Sequence, residues 1–173
     1  GVGRVIRMLE KAGYQGDVNP FPSLLLGAVE MSPLEIAQIY QTLTSGGYYS
    51  PLRAVVAVTS GEGAPLQRYG VESTPITDPE TMFLLEHAMQ SVFYQGTAES
   101  AKRTLGNQLP LAGKTGTTND LRDSWFVGYG SNLMGVVWLG HDENVDTGLS
   151  GATGALPVWA DLMARLDIQP RYT

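Results

Sequence analysis

No cysteine occurs among the 173 residues, which excludes a disulfide framework, a thiol nucleophile and a cysteine zinc site. Cations are scarce too. Eleven Lys and Arg stand against 17 Asp and Glu, for a formal net charge of -6, and no basic run interrupts that balance. Nucleic acid is therefore not expected as a partner, because phosphate binding needs clustered Lys and Arg. Histidine appears only as His87 and His141, without the H-x-x-x-H spacing of a helical metal site. No apolar run approaches the length of a membrane span, and the N-terminus has no signal-peptide pattern. What remains has the composition of an ordinary folded protein. Hydrophobic residues make up 43% of a length that suits one domain with its own core. The chain opens inside a helical pattern, "GVGRVIRMLEKAGY", so it is expected to be a piece of something longer.

The periodicity then divides the chain. Val2, Val5, Ile6 and Leu9 recur at helical spacing, and Gly13 stops the helix. "NPFPSLLLGAVEM" reads as a proline-punctuated connection. Ser32, Pro33 and Glu35 form a helix start with a capping box, and Gly46 and Gly47 end that helix. "RAVVAVTSGEGAPLQRYG" reads as a hairpin, with Val55 to Val58 going out, Gly61 and Gly63 turning, and Leu66 to Tyr69 returning. A further helix starts at Asp78 and Pro79. Met82, Leu85, Met89, Val92 and Phe93 line its apolar side, and Gly96 closes it.

After Gly106 the period changes to short β-rich runs. Leu109–Thr118, Ser124–Gly130 and Leu133–Gly140 are expected as adjacent antiparallel strands. A last helix, Gly154–Leu166, should pack on that sheet. The fold class is α+β, with a helical half over about 1–105 and a sheet with its C-terminal helix over about 106–168.

The chemistry concentrates in "LPLAGKTGTTND", Leu109 to Asp120. Its Gly-Lys-Thr invites a phosphate-loop reading, which needs G-x-x-x-x-G-K-[ST]. Counting back from Gly113, the first glycine should stand at 108, where the sequence has Gln108. The helix that should follow would begin Gly116-Thr117-Thr118-Asn119, a poor helix start. Without it there is no fan of amides for a phosphate. As a strand, the segment places Lys114 on the face opposite Thr115 and Thr117. Gly113 and Gly116 weaken a strand interior and suggest close approach of a ligand backbone. A lysine, two hydroxyls and edge amides suit an extended peptide that ends in a carboxylate. The segment alone leaves that reading open beside a solvated lysine on a threonine-rich edge strand.

"LAGKTGTTND", "RDSWFVGYG" and "GVVWLGHDEN" together resemble the K-T-G region of the penicillin-binding transpeptidases, a family in which K-T-G accompanies S-x-x-K and an S-D-N type motif. "SPLEIAQIYQTLTSGGYYSPLRAVVAV", "MQSVFYQGTAESA" and "GLSGATGALPVWADLM" are similar to other segments of the domain, in family order, the last to the C-terminal helix of bifunctional class A members. The resemblance implies a serine D-Ala-D-Ala transpeptidase that cross-links peptidoglycan stem peptides and is acylated by β-lactams. It implies no cofactor and no metal. Lys114 and Thr117 would be the catalytic positions here, the lysine setting the proton network around the nucleophile and the Thr117 N–H serving as an oxyanion donor. Thr115, Gly116, Thr117 and Thr118 would bind substrate, the Thr115 and Thr117 hydroxyls taking its carboxylate. The parent protein would also be a peptidoglycan glycosyltransferase, held at the periplasmic side of the inner membrane, so that contact with the membrane comes only through the parent.

The sequence also departs from the family pattern. No serine is followed three residues later by lysine, and no Ser-x-Asn occurs. The nucleophile and the middle motif are expected N-terminal to Gly1, in a missing part of the same domain that would be this chain's partner. The chain alone is then expected to be inactive, since acyl transfer needs a nucleophile with a base beside it. The alternative is a noncatalytic peptidoglycan- or β-lactam-sensing domain of the same fold. Elsewhere, "GLSGA" (148–152) is one residue short of a nucleophile elbow, so Ser150 and Thr153 read as turn and helix-cap residues. Trp125, Trp138, Trp159 and Phe126 read mostly as core, and Arg122 and Asp123 as polar contacts at a strand turn.

Overall fold

A computed structural model describes residues 1–106 and 110–172. Helix α1 covers Val2–Lys11 and ends into Gly13, whose φ of 100° only glycine adopts comfortably. Its apolar residues are half-buried at best. A short 3₁₀ turn, Pro22–Leu26, lies in the proline-rich connection. Helix α2 covers Pro33–Thr44 and starts as its sequence dictates. The Ser32 N–H donates to Glu35 Oε2 at 2.7 Å, and the Glu35 N–H donates to Ser32 Oγ at 3.3 Å. The Ser32 N–H and its hydroxyl, which donates to Glu35 Oε2 at 2.8 Å, hold the Glu35 carboxyl below its ordinary value. Thr42, fully buried, donates to the Ala12 carbonyl at 3.4 Å and ties α2 to the end of α1.

Two small sheets follow. Strand β1 (Tyr48–Tyr49) pairs with β4 (Thr74–Pro75), and β2 (Ala57–Thr59) pairs with β3 (Pro65–Arg68). The expected hairpin is therefore present but shorter. Val55 and Val56 precede it, and the register slips between Val58 and Thr59. Every residue of β2 and β3 is exposed, so no buried face extends the pairing.

Helix α3 covers Pro79–Gln95, with Asp78 capping the Thr81 N–H at 2.7 Å. Its buried stripe is Met82, Glu86, Met89, Gln90 and Phe93. That corrects the expected face. Leu85 is 38% exposed, while Glu86 and Gln90 take buried places. The cause is the C-terminal tail. Arg171 forks onto Glu86 through Nε and Nη2, and the Gln90 amide donates to the Arg171 carbonyl at 3.0 Å. A short α4 (Lys102–Leu105) follows.

The main sheet is antiparallel in the order β5–β6–β7: Ala112–Thr117, Ser124–Tyr129 and Met134–Leu139. Each strand is one or more residues shorter than its sequence suggests, and Leu109 lies outside the described residues. Helix α5, Ala155–Arg165, packs on one face. There Trp159 meets Phe126 at 5.0 Å between ring centroids, and Phe93 of α3 completes the cluster. Glycines make this possible. A Cβ on Gly128 would lie 2.6 Å from the Trp159 ring, and one on Gly135 would lie 2.8 Å from its Nε1. On the opposite face Ala112, Tyr129 and Met134 pack against Tyr40 and Leu43 of α2 and Met89 of α3. Helices on both faces thus hold β5 in place, and the β5–β6–β7 order leaves β5 at the sheet's edge.

Candidate functional site

Strand register sets which groups β5 presents. Lys114 pairs with Val127 and Thr115 with Phe126, while Thr117 pairs with Ser124. Thr115 therefore shares its face with Phe126 and the α5 side. Lys114 shares the other face with Val127 and Trp125, as strand alternation requires. Where β5 runs into the turn, the Thr118 N–H donates to the Asp123 carbonyl at 3.3 Å. In an antiparallel ladder, such hydrogen-bonded pairs alternate with non-bonded ones. Even-numbered residues of β5 thus bond to β6. Gly113, Thr115 and Thr117 direct N–H and C=O outward along the free edge. The exposed Lys114 curls back over this edge and donates from Nζ to the Thr115 carbonyl at 2.9 Å.

The hydroxyls are not equivalent. Thr117 Oγ1 accepts from the Gly151 N–H at 2.9 Å. Its own proton has no acceptor among the described residues and is free to donate. Thr115 Oγ1 lies 2.7 Å from Thr97 Oγ1, in the loop after α3. Two hydroxyls that share one hydrogen bond have two protons, so one more donor remains free at this spot. The edge thus gathers two spare O–H donors, outward backbone N–H groups and one ammonium. It is a concentration of donors suited to an anionic, extended ligand. Thr118 is placed differently. Its hydroxyl closes the β5–β6 turn, accepting from the Asp123 N–H at 2.8 Å and donating to Asp123 Oδ2 at 3.0 Å.

The two glycines serve close neighbours within the chain itself. A Cβ on Gly113 would stand 2.6 Å from the Val127 carbonyl oxygen, and one on Gly116 would stand 3.0 Å from Trp125 Cβ. Gly151 also presses on this spot, since a Cβ there would lie 2.7 Å from the Gly116 oxygen. The close approach that the sequence assigns to a ligand backbone is instead accounted for by β6 and the Gly151 turn.

Beside Lys114, Trp125 and Trp138 tilt together at 6.0 Å between centroids. Trp138 Nε1 donates to Asp123 Oδ1 at 2.9 Å, and Arg122 pairs with Asp120 at 3.4 Å. The polar roles expected of Arg122 and Asp123 at the turn are present. Trp159 and Phe126 are core, whereas Trp138 is 36% exposed. His87 is not at the site but stacks on Phe83 within α3.

Ser150 and Thr153 close a turn on each other, with the Ser150 N–H donating to Thr153 Oγ1 at 3.0 Å. They do not cap α5. The buried Ser124 of β6 does, accepting from the Ala155 N–H at 2.9 Å while donating to the Ser150 carbonyl at 2.7 Å. Sequence reasoning missed both Ser124 and Thr97. Thr97 lies in a segment that carries the family resemblance, but nothing local assigns a role to either residue, because their partners stand 31 and 18 positions away.

Comparison with known proteins agrees with the geometry. Residues 9–160 match the penicillin binding protein transpeptidase domain. Penicillin-binding protein 1B of Vibrio cholerae is 41% identical over 167 residues, which cover 94% of this chain and 21% of that protein. Penicillin-binding protein 1B of Escherichia coli is 36% identical over 168 residues, 95% of this chain and 19% of that protein. The chain thus spans about a fifth of the length of these curated relatives. The crystal structure of penicillin-binding protein 1A from Haemophilus influenzae superposes with a TM-score of 0.88 at 22% identity, covering all of this chain and 32% of that one. The imipenem acyl-enzyme of penicillin-binding protein A from M. tuberculosis superposes at 0.70 and 20% identity, over 94% of this chain and 42% of that one. With a matched family domain over most of its length and the same fold around its K-T-G strand, this chain belongs to the penicillin-binding protein transpeptidase family.

Proposed function

We propose that this chain supplies the substrate cradle of a serine D,D-transpeptidase that cross-links peptidoglycan stem peptides and is acylated by β-lactams. The observation that carries the reading is the free edge of β5. Lys114, the spare protons of the Thr115–Thr97 pair and Thr117, and the outward Thr117 N–H converge there. In the reaction, a serine oxygen attacks the carbonyl carbon of the penultimate D-Ala and the C–N bond breaks. The terminal D-Ala leaves with the proton taken from the serine. The amine of a second stem peptide then displaces the serine from the acyl-enzyme. No serine of this chain has the S-x-x-K pattern, so the nucleophile is assigned to another part of the parent protein.

Each cradle residue then has a role. The Thr117 N–H faces the developing oxyanion, where a fixed amide is a large term because it needs no reorganisation. The Thr115 and Thr117 hydroxyls donate to the substrate carboxylate, and Lys114 adds positive potential beside the nucleophile. Gly116 and Thr118 act indirectly. Gly116 lets Trp125 and the Gly151 turn close on the strand, and Thr118 fixes the turn that orients Thr117. Belonging beside class A relatives, the parent protein would also carry a glycosyltransferase and work on the periplasmic side of the inner membrane. No helix among the described residues is long and apolar enough to cross a membrane.

The test is Thr117→Val in the parent protein, read as the second-order rate of acylation by a fluorescent penicillin. A hydrogen bond to a charged partner is worth about 1.5–3 kcal/mol, so acylation should slow by about 10- to 150-fold. Thr117→Ser keeps the hydroxyl and should retain most of the rate. Unchanged acylation in Thr117→Val refutes the carboxylate role.

A further inference from the structure

The loop that leaves α3 is held more tightly than its exposure suggests. Gly96 follows the helix in an extended conformation, and a Cβ there would stand 2.7 Å from Val92 Cα. Only glycine lets the chain turn so close to the last helical turn. Two residues on, Ala98 is fully buried, and its N–H donates to the Val92 carbonyl at 3.0 Å. The Glu99 N–H closes back on the Gly96 carbonyl at 3.1 Å. Thr97 is therefore pinned on both sides while its side chain stays at the surface. Its Oγ1 lies 2.7 Å from Thr115 Oγ1.

The direction of that bond matters. If Thr115 donates to Thr97, its proton is spent and it has nothing to offer an anion. If Thr97 donates to Thr115, the Thr115 proton is free to point along the β5 edge, and the chain of hydroxyls strengthens each bond in it. A carboxylate at the edge favours the second arrangement, because a donor to a charged acceptor gains more than a donor to a neutral one. We propose that Thr97 is a positioning residue for the acyl donor: it donates to Thr115 Oγ1 and so aims the Thr115 proton at the substrate carboxylate. The inference rests on the transpeptidase reading above and adds a residue that touches no reacting atom. Thr97 contributes through the orientation of Thr115.

The experiment compares a penicillin with its methyl ester, which lacks the carboxylate charge, on the whole parent protein. Thr97→Val is isosteric and removes only the hydroxyl. It should slow acylation by the penicillin about fivefold, the equivalent of the about 1 kcal/mol typical of one neutral hydrogen bond. Acylation by the ester should be unchanged. Thr97→Ser should restore the penicillin rate, and Thr97→Val combined with Thr115→Val should be no slower than Thr115→Val alone. Equal slowing of penicillin and ester would mean a merely structural role and would overturn the proposal. So would full additivity of the two substitutions, or no effect on the penicillin. An unsubstituted protein that takes up no penicillin would instead refute the transpeptidase reading itself, and the role of Thr97 with it.

Discussion

The C-terminal tail offers the sharpest test of how the site is held. Arg171 is 21% exposed in its side chain and Glu86 only 8%, so their pair is mostly out of water. It is forked, with Nε on Oε1 and Nη2 on Oε2 at 3.1 Å. The guanidinium also lies over the Tyr129 ring, 5.4 Å from its centroid. The Arg171 backbone is engaged as well, its N–H donating to the Pro110 carbonyl at 2.7 Å and its carbonyl accepting from Gln90. Pro110 stands two residues before β5. The tail therefore links α3 to the segment that leads into the K-T-G strand.

Removing one partner of a fully buried ion pair costs about 3–5 kcal/mol, because the other charge is stranded. Arg171 retains some solvent, so the cost should fall below that range. Arg171→Met should destabilise by about 2–3 kcal/mol, and Glu86→Gln by about the same. At about 2–4 °C per kcal/mol for a chain of this size, the domain's thermal midpoint should fall by about 4–12 °C. Glu86→Gln combined with Arg171→Met should cost clearly less than the sum of the single changes, since neither charge is left alone. A double-mutant cycle on the unfolding midpoint measures this. Single changes that cost less than about 0.5 kcal/mol, as surface pairs do, would refute the reading of the tail as a clamp.

Two further outcomes follow from buried polar groups. Ser124→Ala should destabilise by about 2–3 kcal/mol in urea unfolding, because it strands the buried Ala155 N–H and removes the hydroxyl's bond to Ser150, and a loss under about 0.5 kcal/mol would show that α5 is capped some other way. Burial between α2 and the sheet pushes the Tyr40 phenol up to about 12, although the ring keeps part of its surface in solvent. A raised folded value means that the unfolded chain ionises first. The contribution is whole below pH about 10 and is lost as pH rises from there through about 12, by at most about 3 kcal/mol. Tyr129 is raised too, first by burial and then by Glu86, and its alkaline loss has the same sign. Tyr40→Phe should flatten the alkaline limb of a stability–pH curve, and an unchanged slope would refute the assignment to Tyr40.

Local signals were legible wherever the physics is local. The Ser32–Glu35 capping box needs partners only three positions apart, so a sequence can state it completely. The same holds for the Asp78 cap, and the three main strands show as short β-rich runs between turn residues. The α3 face was misjudged at Leu85, Glu86 and Gln90 for the opposite reason. Hydrophobic periodicity ranks side chains by their preference for oil over water. A carboxylate becomes a good core residue only when a guanidinium arrives, here from 85 positions away. The hairpin at β2 and β3 was overestimated in length because its valines look like strand residues, yet nothing covers them.

The candidate site divides along the same line. Type and spacing made Lys114, Thr115 and Thr117 candidates, the family resemblance singled them out, and strand alternation places the lysine on one face and the hydroxyls on the other. What the sequence does not contain is the use to which each hydroxyl is put. Thr117 has its lone pair occupied by Gly151 and its proton free. Thr118, one residue on and of the same type, is spent on Asp123 in the turn. Thr115 depends on Thr97, whose place is set by a glycine that only just clears Val92. Three adjacent-looking threonines thus become a donor, a turn brace and a relay because three different loops reach them. A threonine's proton direction is a property of its acceptor and its donor together, and neither need be near it in the chain. For that reason the strand can be found from its own residues, whereas the chemistry of its edge depends on where the loops at Thr97, Asp123 and Gly151 come to rest.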